Sequence, residues 1–120
     1  CSGENGRFGW VLHGLWPETD DAGYPQWCRP AKIVPQPVLR RHMCMTPSAQ
    51  LLQHEWAKHG TCMSPNPAAY FRSAEILFRA VRYPDMNALG AKPQTAGSIR
   101  RAFCRGESWG ERADDRGVGQ

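Results

Sequence analysis

Ser48-Ala49-Gln50-Leu51-Leu52-Gln53-His54-Glu55-Trp56-Ala57-Lys58-His59-Gly60-Thr61-Cys62 is the stretch from which the rest of the chain can be read. Ser48 is a helix N-cap, since its hydroxyl can accept from an unpaired N–H of the first turn. Gly60 stands where a glycine commonly ends a helix. The residues between are good helix formers, and Leu52 and Trp56, four apart, are expected to face the core. At about 100° per residue, His54, Lys58, Glu55 and His59 fall at roughly 0°, 40°, 100° and 140° around the helix. Two imidazoles, an ammonium and a carboxylate therefore share one face, with Leu52 and Trp56 near the opposite side. Ion pairs of Glu55 with Lys58 or His59 would be the ordinary account of such a face, but its chemistry is unusually mixed for a solvated stripe.

Upstream, residues 7–13 alternate bulky apolar side chains with others and read as a strand, with Phe8, Trp10 and Leu12 on one face and Gly9, Val11 and His13 on the other. Gly14 and Pro17 break it, with Trp16 between them. Residues 17–47 are rich in proline and glycine and read as an irregular loop, with a short helix around Pro37–Met43. Downstream, Asn66 is a cap, Pro67 fits a first helical position, and Pro84 stops the run. Tyr70, Phe71, Ala74, Leu77, Phe78 and Val81 make the apolar stripe of that helix. A third short helix is expected from about Thr95 to Phe103. From Cys104 onward, charge and glycine replace apolar periodicity, so the tail is not expected to pack. There are no internal repeats.

One domain at most fits in 120 residues, and its 41% hydrophobic and 22% charged content is that of a globular chain. No apolar run approaches a membrane span. The net charge of +4 suits a polyanionic partner but discriminates little. Arg40-Arg41, Arg100-Arg101 and His42 read as solvated surface. The five cysteines, Cys1, Cys28, Cys44, Cys62 and Cys104, favour an oxidising compartment, and none forms a Cys-x-x-Cys pair of the thiolate-zinc or thioredoxin kind.

Three of the four histidines lie in two short segments, His13-Gly14-Leu15-Trp16-Pro17 and His54 to Cys62. Zinc is the obvious competitor, because His-Glu opens a metalloprotease helix motif. That motif needs its histidines four apart so that both point at one metal. His54 and His59 are five apart and diverge by about 140°, with Lys58 beside them. A reaction that wants two histidines, a lysine and a glutamate without a metal is RNA transphosphorylation. RNA carries its own nucleophile, the 2′-hydroxyl, so cleavage needs one group to take that proton and another to protonate the leaving 5′ oxygen. Imidazoles titrate in the right range for both tasks, and cationic side chains stabilise the charge that develops on the phosphoryl oxygens. DNA, lacking the 2′-hydroxyl, would be refused.

Phe8-Gly9-Trp10-Val11-Leu12-His13-Gly14-Leu15-Trp16-Pro17 and His54-Glu55-Trp56-Ala57-Lys58-His59-Gly60-Thr61-Cys62 resemble, in this order, the two signature active-site segments of the ribonuclease T2 family. Tyr24-Pro25-Gln26-Trp27-Cys28 and the Pro-Ala-Ala-Tyr-Phe opening of the second helix extend the resemblance over residues 7–83, and the chain looks like a bacterial-type member. The resemblance implies an α+β fold, an antiparallel sheet with packed helices. It implies a secreted or periplasmic, monomeric, cofactor-free endoribonuclease that cuts single-stranded RNA to 2′,3′-cyclic phosphates and then 3′-phosphates. By position it makes His13 the general acid, His59 the general base and His54 the phosphate holder, with Glu55 and Lys58 stabilising the charged intermediate. Trp16 matches an aromatic that stacks on a base, although packing beneath the loop would explain it equally well. Cys28 and Cys62 match the family's central disulfide. The family also has strands before the position of Cys1 and after Phe103. The sequence therefore reads as a truncated piece, incomplete at both ends, with residues 1–103 a partial family domain and 104–120 a disordered tail unlike the family. Cys1 is expected to pair with a cysteine further upstream, Cys44 has no clear family partner, and Cys104 lies in the tail. An inactive remnant that at most binds RNA is the rival reading.

Overall fold

The computed structural model describes residues 9–105; the expectations placed on Arg7 and Phe8, on the pairing of Cys1 and on the tail past residue 105 lie outside them. Among the described residues five helices follow one another: α1 Gln36–His42, α2 Ala49–Lys58, α3 Pro67–Ala80, α4 Met86–Gly90 and α5 Ala96–Cys104, with a 3₁₀ turn Gly60–Cys62 after α2. Among the described residues no helix is long and apolar enough to cross a membrane. The chain divides into two compact units, with the boundary between Arg79 and Ala80.

The expected antiparallel sheet is not there. Among the described residues there is no strand; residues 9 and 10 are bends, and residues 11–13 belong to no ladder. The reason is local. A strand is defined by a ladder, and residue 12 finds no neighbouring strand to build one with. Instead the Leu12 N–H donates to the Met45 carbonyl at 2.8 Å, and the Thr46 hydroxyl donates to the Leu12 carbonyl at 2.7 Å. Both backbone groups of Leu12 are satisfied by the turn between α1 and α2. The alternation holds only over residues 11–13, with Leu12 half-buried and Val11 and His13 exposed; Trp10, expected on the face of Leu12, is 39% exposed.

In the first unit, α2 starts where expected: the Ser48 hydroxyl accepts from the Leu51 N–H at 3.1 Å. Its end is different. Gly60 does not stop the helix in a left-handed conformation; it begins the 3₁₀ turn, buried against aromatic rings. A Cβ there would stand 2.5 Å from Trp56 Cε3 and 2.8 Å from the Tyr70 ring, so the glycine serves close packing. Helix α3 is capped by Asn66, whose side-chain oxygen accepts from the Ala69 N–H at 2.9 Å. α1 also forms close to its expected place.

The core of this unit joins Val34, Met45, Leu52, Trp56, Tyr70, Phe71 and Ala74, with Leu12, Leu15, Val38, Leu39, Met43 and Phe78 packed against it. The apolar stripe of α3 is shorter than its sequence suggested. Tyr70, Phe71 and Ala74 are buried and Phe78 is half-buried against the core, but Leu77 is 53% exposed and Val81, past the end of α3, is 46% exposed. His42, read as surface, is also a correction: it is 2% exposed, with its ring 5.5 Å from that of Phe71. It closes α1 onto α3, and its Nδ1 lies 3.5 Å from a Glu75 oxygen.

The second unit holds α4 and α5. Asp85 caps α4 by accepting from the N–H groups of Asn87 and Ala88, a start that the sequence reading passed over. Thr95 and Ser98 form a reciprocal capping box at the start of α5. That helix runs through Cys104, one residue past Phe103, where the sequence reading ended it.

Leu52→Ala is expected to cost about 2–5 kcal/mol, as for a fully buried leucine. Leu77→Ala should stay within about 0.5 kcal/mol of the parent, as for an exposed position. Urea midpoints of the two variants check both values.

Candidate active site

The two segments that the sequence singled out meet at one side chain. Glu55 lies on α2 with its side chain 3% exposed, a carboxyl group turned toward the core rather than toward solvent. The Trp16 indole N–H donates to Glu55 Oε2 at 2.9 Å, His13 Nε2 stands 3.5 Å from Oε1, and His59 Nε2 stands 4.0 Å from Oε2. Gly14 makes this approach possible. A Cβ at that position would collide with the Glu55 carboxyl. Burying a carboxyl group without partners is strongly unfavourable, and segment 13–16 supplies the partners.

That segment is fixed by four hydrogen bonds from three directions. Besides the two bonds of Leu12 and the Trp16 indole, the Tyr70 hydroxyl donates to the Leu15 carbonyl at 2.7 Å. Burial, aided by the negative charge of Glu55, pushes the Tyr70 phenol well above its usual 10.0, so it remains a neutral donor. Tyr70 was read from sequence as stripe packing alone; its polar end was the available signal, since a buried tyrosine hydroxyl needs a partner. Gly14 was likewise read only as a strand breaker, although a glycine at a strand end also marks close backbone approach.

The helical arithmetic needs one correction. Leu52, Glu55, Trp56 and His59 are all buried, and His54 is exposed. At roughly 160°, 100°, 200° and 140°, those four make one stripe of which His59 is near the centre. The four polar residues are thus not one solvated face. Glu55 and His59 belong to the seam between core and solvent, while His54 and the half-buried Lys58 flank it.

Each imidazole has an indole beside it. The Trp16 ring lies stacked on His59, with centroids 5.2 Å apart and planes 25° apart, and His13 meets the same indole edge-on at 6.0 Å. Trp16 covers His59, which is 4% exposed with its Nδ1 buried and unbonded among the described residues, yet Trp16 itself is 54% exposed. Trp27, which the sequence reading gave no role, meets His54 edge-on at 5.6 Å. Cys28 and Cys62 form a disulfide that spans 34 residues and ties the loop after Trp27 to the end of α2. Cys44 is disulfide-bonded too, and Cys104 is a free, exposed thiol.

Burial pushes the His59 imidazole below its ordinary 6.5; Glu55 opposes this, while Lys58, His54 and His13 add to it. His59 is therefore held toward its neutral, proton-accepting form, inside the field of every candidate residue of α2 and of His13.

The model of the ribonuclease T2 family matches residues 1–102. The chain belongs to the ribonuclease T2 family. It is 38% identical over 88 residues to a probable ribonuclease of Haemophilus influenzae, covering 69% of this chain and 32% of that protein. With a ribonuclease of Aeromonas hydrophila it shares 42% identity over 57 residues, 47% of this chain and 25% of that one. With intracellular ribonuclease LX of Solanum lycopersicum it shares 29% over 113 residues, 79% of this chain and 48% of the plant protein. Among solved structures, RNase NT in complex with 5′-AMP superposes with a TM-score of 0.60 at 27% identity, covering 80% of this chain and 56% of that chain. The chain thus spans from a quarter to about half the length of these relatives, and it has the ribonuclease T2 family's likeness in three dimensions without a sheet in its described residues.

His59 and His42 both have their pKa lowered chiefly by burial, so on acidification the unfolded chain takes up protons before the folded one. The stability held above 6.5 should decline as pH falls from there through the folded values. NMR titration of the imidazole signals is expected to place both midpoints below 6.5. Glu55→Gln, which removes the opposing charge, should move His59 lower still; a midpoint at or above 6.5 for His59 in the parent would contradict this account.

Proposed function

We propose that the protein is an endoribonuclease that cleaves single-stranded RNA by acid–base transphosphorylation through the 2′-hydroxyl. The observation that carries the reading is the convergence of His13, Trp16 and His59 on the buried Glu55 carboxyl, within 4.0 Å. An acid and a base held on either side of one carboxyl group suit in-line displacement at a phosphodiester.

In this reading His59, held toward its neutral form, takes the 2′ proton as O2′ bonds to phosphorus. The P–O5′ bond breaks, and His13, whose side chain is 69% exposed, gives its proton to the departing 5′ oxygen. The product is a 2′,3′-cyclic phosphate; water then opens it to a 3′-phosphate with the two imidazoles exchanging roles. Lys58 and His54 stabilise the charge on the phosphoryl oxygens. Glu55 cannot do so as a carboxylate, but it steadies whichever imidazole is positively charged. His59 lies beneath Trp16, so the substrate must draw the indole off it, and stacking of Trp16 on a nucleobase supplies the exchange.

No metal or cofactor enters this chemistry, and DNA is not a substrate for it. The reading takes the chain as a monomer, with residues 1–103 as the family domain and 104–120 as a tail outside it; the family match ending at 102 supports that division. The Cys28–Cys62 disulfide supports a secreted or periplasmic setting. The covered position of His59 favours one second reading, a remnant that binds RNA without cutting it.

The test is cleavage of single-stranded RNA by the purified chain in excess chelator. The parent should give cyclic-phosphate ends, while His13→Ala and His59→Ala should each lose at least about a hundredfold with the fold retained. A mutant that stays within about tenfold of the parent removes its residue from the acid–base pair. RNA binding without cleavage by the parent would establish the second reading instead.

A further inference from the structure

We propose that Trp27 is a second nucleobase platform, holding a base of the RNA strand on the His54 side of the site while Trp16 holds one on the His59 side. The inference deepens the ribonuclease reading and rests on it.

Trp27 has a backbone φ of 55°, in the left-handed region. Glycine occupies that region freely, whereas a bulky side chain there is held against its preference and signals a function. The indole is 57% exposed and lies outside the core, with the exposed His54 ring as its aromatic neighbour. The backbone beneath it, by contrast, is pinned to the end of α2. The Trp27 N–H donates to the Lys58 carbonyl at 2.7 Å, Cys28 is bonded to Cys62, and Arg29 Nε donates to the Thr61 carbonyl at 3.0 Å. The Arg29 guanidinium also reaches the Ser64 carbonyl. Three consecutive residues are thus immobilised so that the first can present a large aromatic to solvent.

The placement fits a strand of RNA. His54 and His59 are separated by about 7.5 Å along the helix axis. Trp16 stacks on His59 at 5.2 Å, and Trp27 stands edge-on to His54 at 5.6 Å. Each indole is more than half exposed. Two exposed aromatics, one beside each imidazole, with the Lys58 ammonium on the same helix, suit single-stranded nucleic acid, bases on the rings and phosphate on the cations. If Trp27 served only to orient the His54 ring, its removal would slow every substrate that uses His54 equally; a base platform acts only on substrates long enough to reach it.

The experiment compares Trp27→Gly, which relieves the backbone, and Trp27→Phe, which keeps a ring, with the parent. It uses a short single-stranded oligoribonucleotide, a pyrimidine 2′,3′-cyclic mononucleotide, and a 2′-O-methyl oligonucleotide that binds without being cut. Trp27→Gly should match or exceed the parent's urea midpoint. It should weaken binding of the 2′-O-methyl oligonucleotide, and raise KM for the oligoribonucleotide, by about fivefold to a hundredfold, the range for losing one base–aromatic stack. The loss on the oligoribonucleotide should exceed that on the cyclic mononucleotide by at least about fivefold, and Trp27→Phe should recover most of it. Equal losses on both substrates, or parental binding of the 2′-O-methyl oligonucleotide by Trp27→Gly, overturns the proposal. A parent that binds the 2′-O-methyl oligonucleotide but cuts nothing sinks the ribonuclease reading and leaves the binding comparison to decide Trp27; a parent that does neither overturns both.

Discussion

A carboxyl group stands on the core-facing stripe of α2, and the rest of the site is arranged around the need to satisfy it. Glu55 shares that stripe with Leu52 and Trp56, so its side chain leaves the helix where solvent cannot reach it. The helix backbone has no hydrogen bond to give, since its N–H groups are committed to the helix. Partners must come from elsewhere in the chain, and they come from Trp16 and His13. The same requirement explains the glycine between them, and the Tyr70 and Thr46 hydroxyls that hold the crossing segment in place. The buried carboxyl group thereby gathers the His13 and His59 imidazoles to within 4.0 Å of one side chain.

The end of α2 is constrained as strongly as its middle. The Cys28–Cys62 bridge closes a loop with a sequence separation of 34, which in the chain-entropy account stabilises the fold by about 4 kcal/mol. The bridge works together with the backbone bond from Trp27 to Lys58 and the arginine bonds at Thr61 and Ser64. These ties hold the 27–29 loop against the turn that follows His59. Gly60 lets Trp56 and Tyr70 close over that turn without a side chain in the way. The backbone on both sides of His59 is thereby tied to its neighbours.

Two histidines of one helix end in opposite environments. His59 is buried beneath Trp16 and pushed toward its neutral form, while His54 is exposed beside Trp27. Similar residues on adjacent turns thus stand in different surroundings, and burial favours the neutral imidazole at His59. The difference arises because one lies within the apolar stripe and the other lies outside it.

The sequence alone determined where three of the helices begin. Ser48, Asn66 and Thr95 announce helix starts through local hydrogen bonds that need no distant partner, and α2, α3 and α5 begin at them. The two histidine segments were likewise legible, because residue type and order carry them, and the Cys28–Cys62 pair followed from the family resemblance that they support. What only the tertiary structure decided was environment. Alternation over residues 7–13 describes an extended chain, but whether it joins a sheet depends on a neighbour, and here the described part of the segment is held by a turn and side chains instead. Spacing placed Glu55 and His59 on α2, but burial follows from what packs against the helix, and it put them in the core seam and left His54 outside. His42 is buried and Leu77 exposed for the same reason. Local hydrogen bonding is written in adjacent residues, whereas exposure, and with it pKa and reach, is set by residues far away in the chain.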